Sequence, residues 1–108
     1  MISQEQQSKI VERLQVLDPD TIYLFGSCVS GVAVEGKSDV DLLVVVPDDG
    51  ENSYRKAVKA YRSLSDIPFP KDIIVRHRGK FRERATWTSS IEREVFRKGR
   101  VLYRRNEG

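Results

Sequence analysis

Five consecutive apolar residues, Leu42-Leu43-Val44-Val45-Val46, follow directly on Asp39-Val40-Asp41. A β-branched run that ends in Pro47-Asp48-Asp49-Gly50 predicts a strand from Asp39 to Val46, closed by a turn. Its tail does not alternate in polarity, so both faces of the strand must be covered, and the strand belongs inside a layered domain. At its mouth stand two carboxylates one residue apart. On a strand, residues i and i+2 share a face and lie roughly 6–7 Å apart along the chain. At ~6 Å and an effective dielectric of ~20, two such charges repel by about 3 kcal/mol. A cation resolves that repulsion, and hard oxygen ligands suit Mg²⁺ or Mn²⁺.

The rest of the chain supplies the layers. Ser3 and Gln6 form a capping box, and Ile10, Val11, Leu14 and Leu17 follow helical spacing up to Asp18-Pro19-Asp20. Thr21 to Phe25 reads as a strand broken by Gly26, and Ser27 caps a short helix to about Val34. Tyr54, Ala57, Val58, Tyr61 and Leu64 mark an amphipathic helix. Lys71-Asp72-Ile73-Ile74-Val75 reads as a third strand, and Arg76 to Trp87 as a basic, irregular stretch. Ser89 with Glu92 predicts a second capping box, with Ile91 and Val95 on one face and Gly99 ending that helix. Val101-Leu102-Tyr103 closes the pattern as a short strand. The expected order is α-β-α-β-α-β-α-β, an α/β or α+β fold over a single domain spanning 1–108.

Composition narrows the setting. No apolar run approaches the ~18 residues of a membrane span, and no secretion signal precedes the first helix. One cysteine, Cys28, cannot form an internal disulfide, which points to a reducing cytoplasm. The net charge of +3 is uneven. Residues 1–53 carry 3 Lys/Arg against 10 Asp/Glu, a charge of −7, and residues 54–108 carry 16 against 6, a charge of +10. An acidic half that holds metal beside a basic half that holds polyanion fits a nucleotide enzyme, although basic residues on helix faces are also ordinary solvated surface.

Asp39, Asp41 and Asp72 all fall at strand beginnings. If the strands that carry them are neighbours, the three converge in the manner of two-metal phosphoryl chemistry. Asp39 and Asp41 then bridge the ions. Asp72 holds the ion nearer the attacking hydroxyl and helps it lose its proton. Gly26 allows close approach of backbone to phosphate, and Ser27 with the following helix start offers N–H groups to phosphate oxygens.

Leu24-Phe25-Gly26-Ser27, Gly31, Ser38-Asp39-Val40-Asp41-Leu42-Leu43-Val44 and the later Asp72 together resemble the signature of the minimal nucleotidyltransferases of the DNA polymerase β superfamily. The resemblance covers roughly residues 20–104. It implies a polymerase-β-type fold, a small mixed sheet flanked by helices. It also implies Mg²⁺-dependent transfer of a nucleoside monophosphate, AMP from ATP, to a hydroxyl acceptor with release of pyrophosphate. Asp39, Asp41 and Asp72 would be catalytic and metal-binding, and Gly26, Ser27, Lys37 and Ser38 would sit on the nucleotide. It further implies a small helical HEPN-type partner protein. Cys28-Val29-Ser30 stands where the family commonly has basic residues, which bears on nucleotide affinity.

Other readings stand beside this one. Gly31-Val32-Ala33-Val34-Glu35-Gly36-Lys37-Ser38 satisfies the P-loop pattern, but a P-loop follows a strand directly and opens a helix, and here a carboxylate pair and a strand follow. Lys37 is otherwise a solvated loop lysine. A different class of function is an antitoxin-like subunit that neutralises a HEPN partner by docking. Arg76, Arg78, Lys80, Arg82 and Arg84, with Phe81 and Trp87, form a basic-aromatic stretch suited to phosphates, an RNA acceptor or an acidic partner, or to a surface loop. Trp87 itself reads as core or interface. Asp48, Asp49 and Glu51 read as solvent-facing, and His77 as a strand end. The tyrosines of the central helix are compatible with a homodimer.

Overall fold

The computed structural model describes residues 3–25, 40–68, 70–88 and 90–105. Helix α1 (Gln4–Leu14) starts on the expected capping box: Gln6 N donates to Ser3 Oγ, and Ser3 N donates to the Gln6 side chain. A 3₁₀ turn (Gln15–Leu17) carries the chain to Asp18, whose φ of 51° reverses direction. An aspartate tolerates this left-handed conformation better than most side chains. The turn is pinned from the far end of the chain: Arg105 donates to both the carbonyl and the carboxylate of Asp18, each at 2.6 Å.

Strand β1 (Thr21–Phe25) and strand β2 (Val40–Val46) run antiparallel, helix α2 (Ser53–Ser63) crosses over, and strand β3 (Lys71–His77) returns parallel to β2. Helices α3 (Arg78–Arg84) and α4 (Ile91–Lys98) follow, and strand β4 (Arg100–Arg104) pairs antiparallel with β1. The four-stranded mixed sheet has the order β3-β2-β1-β4. Its interior strand β2 is buried on both faces, as its apolar tail requires. Leu42, Val44 and Val46 join Ile10, Leu14, Ala60 and Leu64 in one core; Leu43 and Val45 join Tyr23, Phe81 and Val95 in the other. Tyr23 and Phe81 stack at 5.6 Å between ring centroids.

Four expectations are corrected. Arg76 to Trp87 is not irregular: β3 runs on to His77 and α3 occupies Arg78–Arg84, with Phe81 buried against Tyr23 of the sheet and Lys80 and Arg82 exposed. The cap of α4 is Ser90, whose Oγ accepts from Arg93 N, and the residue buried with Val95 is Glu92 rather than Ile91. The buried stripe of α2 is Lys56, Ala60 and Leu64, with Tyr54 and Tyr61 exposed; Lys56 can be buried because Asp49 meets its ammonium at 2.6 Å. Trp87 is exposed, with the Arg84 guanidinium 5.4 Å from its ring centre. Gly99 does end α4, but in extended backbone; its role is space, since a Cβ there would lie 2.5 Å from the Val95 carbonyl oxygen.

Candidate active site

The parallel crossover sets the site. A β-strand, a helix and a parallel strand form one right-handed unit, and its register decides which side chains lie abreast. Here Asp41 on β2 faces Asp72 on β3, one residue in from the start of β3. Neighbouring strands lie ~4.8 Å apart, and register partners in a sheet share a face. The two carboxylates therefore stand side by side on the face that carries Leu43, Val45 and Ile74. Phe25, the last residue of β1, is the partner of Asp41 on its other side. The row thus ends the same strand that runs into Gly26 in the sequence.

Burial separates the two acids. Asp41 is half-buried and Asp72 is exposed. Asp72 is held: Tyr61 on α2 donates its hydroxyl proton to Asp72 Oδ1 at 3.2 Å, and the same hydroxyl accepts the backbone N–H of Ile73 at 2.9 Å. Sequence reasoning placed Tyr61 in an apolar stripe. Its signal as a site residue was only its place on the helix that joins the two acid-bearing strands.

Of the expected site residues, the structure brings together Asp41 and Asp72. Asp39, Gly26, Ser27, Lys37 and Ser38 lie outside the described residues, as do Cys28, the expected short helix and the P-loop pattern of residues 31–38. Among the described residues no group of three metal-ligating side chains occurs. The oxygen pair Asp41–Asp72 fits a hard divalent cation as a partial ligand set that further oxygens must complete.

A cavity of about 810 Å³ opens at the opposite end of β2 and β3, lined by Asp48, Glu51, Arg76, His77, Lys80 and Arg84. Its lining on β3 runs from Val75 to His77, three to five residues beyond Asp72 or ~10–16 Å at the rise of a strand, and neither Asp41 nor Asp72 lines it. The acidic turn faces solvent, as expected, with Asp48 and Asp49 exposed, yet it is tied to its neighbours: Gly79 N donates to both oxygens of Asp48, Asp49 takes Lys56, and His77 Nε2 contacts the Glu51 carbonyl at 2.7 Å. The Lys56 hydrogen bond, with the backbone N–H of Glu51, holds the Asp49 carboxyl below its ordinary range. The basic stretch is likewise partly spent. Arg76 and Arg84 both reach Glu92, which is buried, and Arg78 pairs with Asp20.

Comparison with known proteins matches this geometry to a family. The family model for the nucleotidyltransferase domain matches residues 5–102. No curated protein matches the chain significantly. Among solved structures, one titled a toxin–antitoxin with AMP-PNP is 24% identical, with a TM-score of 0.57, covering 94% of this chain and 75% of the other. A mutant of the toxin–antitoxin MntA-HpeT is 20% identical, with a TM-score of 0.62 and the same coverage. A Sulfolobus solfataricus protein described as a candidate nucleotidyltransferase is 22% identical, with a TM-score of 0.63, covering 95% of this chain and 82% of the other. At these identities the likeness is one of fold.

Proposed function

Because the chain belongs to the nucleotidyltransferase domain family, we propose that it transfers a nucleoside monophosphate, AMP from ATP, to a hydroxyl on a small helical partner protein of HEPN type, releasing pyrophosphate. Family membership bears out the resemblance read from the sequence, and with it the polymerase-β-type fold. The finer reading rests on one observation above all, the register pairing of Asp41 with Asp72.

In this reading Asp39, Asp41 and Asp72 hold Mg²⁺ or Mn²⁺. The ions, when bound, neutralise charge that builds on the transferring phosphate and its oxygens. Asp72, the more exposed acid, faces the acceptor and takes the proton of the attacking hydroxyl. Gly26 and Ser27, which follow β1 in the sequence, would bring backbone and hydroxyl donors to the triphosphate, and Lys37 and Ser38 would contact the same nucleotide. A protein acceptor is favoured by the two structural neighbours that are toxin–antitoxin proteins. The chain acts as a single domain in a reducing cytoplasm; no helix among the described residues is long and apolar enough to cross a membrane.

The test is incubation with α-labelled ATP, Mg²⁺ and the protein encoded beside this one. Label on that protein, lost with Asp41→Asn, is the expected result. Neutralisation of the partner that survives Asp41→Asn unchanged, with no label, would instead establish the docking-only role.

A further inference from the structure

Tyr61 bonds at once to the backbone of β3 and to a side chain that the same strand carries, the amide of Ile73 and the carboxylate of Asp72. Among the described residues β3 is an edge strand, and its outward N–H groups face no described strand. The amide of Ile73 is answered by the Tyr61 hydroxyl at 2.9 Å, and that hydroxyl uses its one proton on Asp72 Oδ1 at 3.2 Å. A phenol has one donor and can also accept, so both bonds are satisfied at once and each fixes the direction of the other. The anchor is rigid on both sides. Tyr61 sits on α2, whose Ala60 and Leu64 are fully buried, and Ile73 is buried in the same core.

An exposed aspartate would otherwise rotate among its rotamers. A single oxygen tethered by a phenol leaves the other oxygen, Oδ2, directed by the same rotamer. A fixed acid is what a phosphoryl-transfer site needs, because misplacement by a fraction of an ångström costs rate.

We propose that Tyr61 is a positioning residue: its hydroxyl, seated on the Ile73 amide, sets the rotamer of Asp72 so that the free oxygen faces the metal and acceptor. This inference rests on the role proposed above for Asp72. It assigns Tyr61 no contact with substrate.

The experiment is a double-mutant cycle on the full chain with two readouts, Mn²⁺ affinity by electron paramagnetic resonance and steady-state kinetics with ATP. Tyr61→Phe removes only the oxygen. It is expected to weaken Mn²⁺ binding and to lower kcat, each by about fivefold, the worth of one hydrogen bond of ordinary strength, with KM for ATP unchanged. In an Asp72→Ala background the same substitution is expected to change Mn²⁺ affinity no further. An equal loss in both backgrounds, or no loss in either, overturns the inference. The amide spectrum adds a readout independent of catalysis: Tyr61→Phe shifts the Ile73 amide resonance and speeds its exchange while the core amides stay in place. An unmoved Ile73 resonance also overturns it. A wild-type chain that binds no Mn²⁺ and transfers no nucleotide removes the role of Asp72 itself, a failure distinct from loss of the Tyr61 effect alone.

Discussion

Asp41 and Asp72 are register partners across the parallel strand pair β2 and β3. Their spacing is set by backbone hydrogen bonding, so a neutral replacement changes charge while leaving the frame in place. Asp41→Asn is expected to lower nucleotide transfer by at least about 100-fold, the scale seen when one charge-stabilising group leaves a preorganised site. A melting temperature within a few degrees of wild type would accompany it. Transfer above a tenth of the wild-type rate would dismiss the role.

Metal and nucleotide should act on stability through the same pair. A ligand that binds only the folded state at 100 times its dissociation constant adds about 2.7 kcal/mol. For a chain of this size that is a rise in melting temperature of about 10 °C. Mn²⁺ with ATP is expected to give this rise in the wild type and to lose it in Asp41→Asn, measured by scanning calorimetry. Equal rises in both proteins would place the ligand elsewhere.

Glu92 is 2% exposed and receives Arg76 Nε at 3.4 Å and Arg84 Nη1 at 3.5 Å. Removing it leaves two guanidinium groups without their shared anion. Loss of one partner from a fully buried pair costs ~3–5 kcal/mol, and both arginines are about one-third exposed, so Glu92→Ala should cost about 2 kcal/mol. Urea denaturation reads this directly. Replacing Glu94, which pairs with Lys98 at the surface, should cost less than about 0.5 kcal/mol.

Acid should loosen the fold through two depressed carboxylates. The hydrogen bonds from Arg13 hold Asp66 below its ordinary range, and Lys56 does the same for Asp49. A carboxylate that ionises more readily when folded contributes stability above its unfolded pKa of about 3.9, and loses it as pH falls through the lower folded value. The melting temperature should therefore be flat above pH ~5 and fall below pH ~4. Asp66→Asn should make that acid limb shallower; an unaltered limb would show that the Arg13 pair contributes nothing to it.

Gly99 joins α4 to β4 where a Cβ would lie 2.5 Å from the Val95 carbonyl oxygen. Backbone cannot yield there as a flexible side chain would. Gly99→Ala should cost about 1–3 kcal/mol, the range for overpacking, and should weaken β4 first. Faster amide exchange in Leu102 and Tyr103 than in β2 is the sign to look for.

These relationships differ in how far a sequence displays them. The Asp39-Val40-Asp41 spacing and the apolar run after it are local, and they led to the right strand and the right burial; that the strand bearing Asp72 lies beside it stood only as a condition, which the register of β2 and β3 meets. Tyr61 was hidden because a tyrosine at helical spacing reads as core, and only the edge position of β3 turns its hydroxyl toward Asp72. Lys56 was hidden for the converse reason: a lysine reads as surface until a turn residue seven positions earlier is found to cover its charge. Arg76 to Trp87 looked irregular because its charges obscured the single apolar contact, Phe81, that orders α3.

The parity of β3 has a consequence for how such chains can vary. Side chains alternate strictly along a strand, so a one-residue slip of β3 against β2 would turn Asp72 to the opposite face and carry Ile73 and Val75 out of the core with it. Acid and packing are therefore bound to one alignment: the chain cannot turn its carboxylate away without also unseating the strand that bears it.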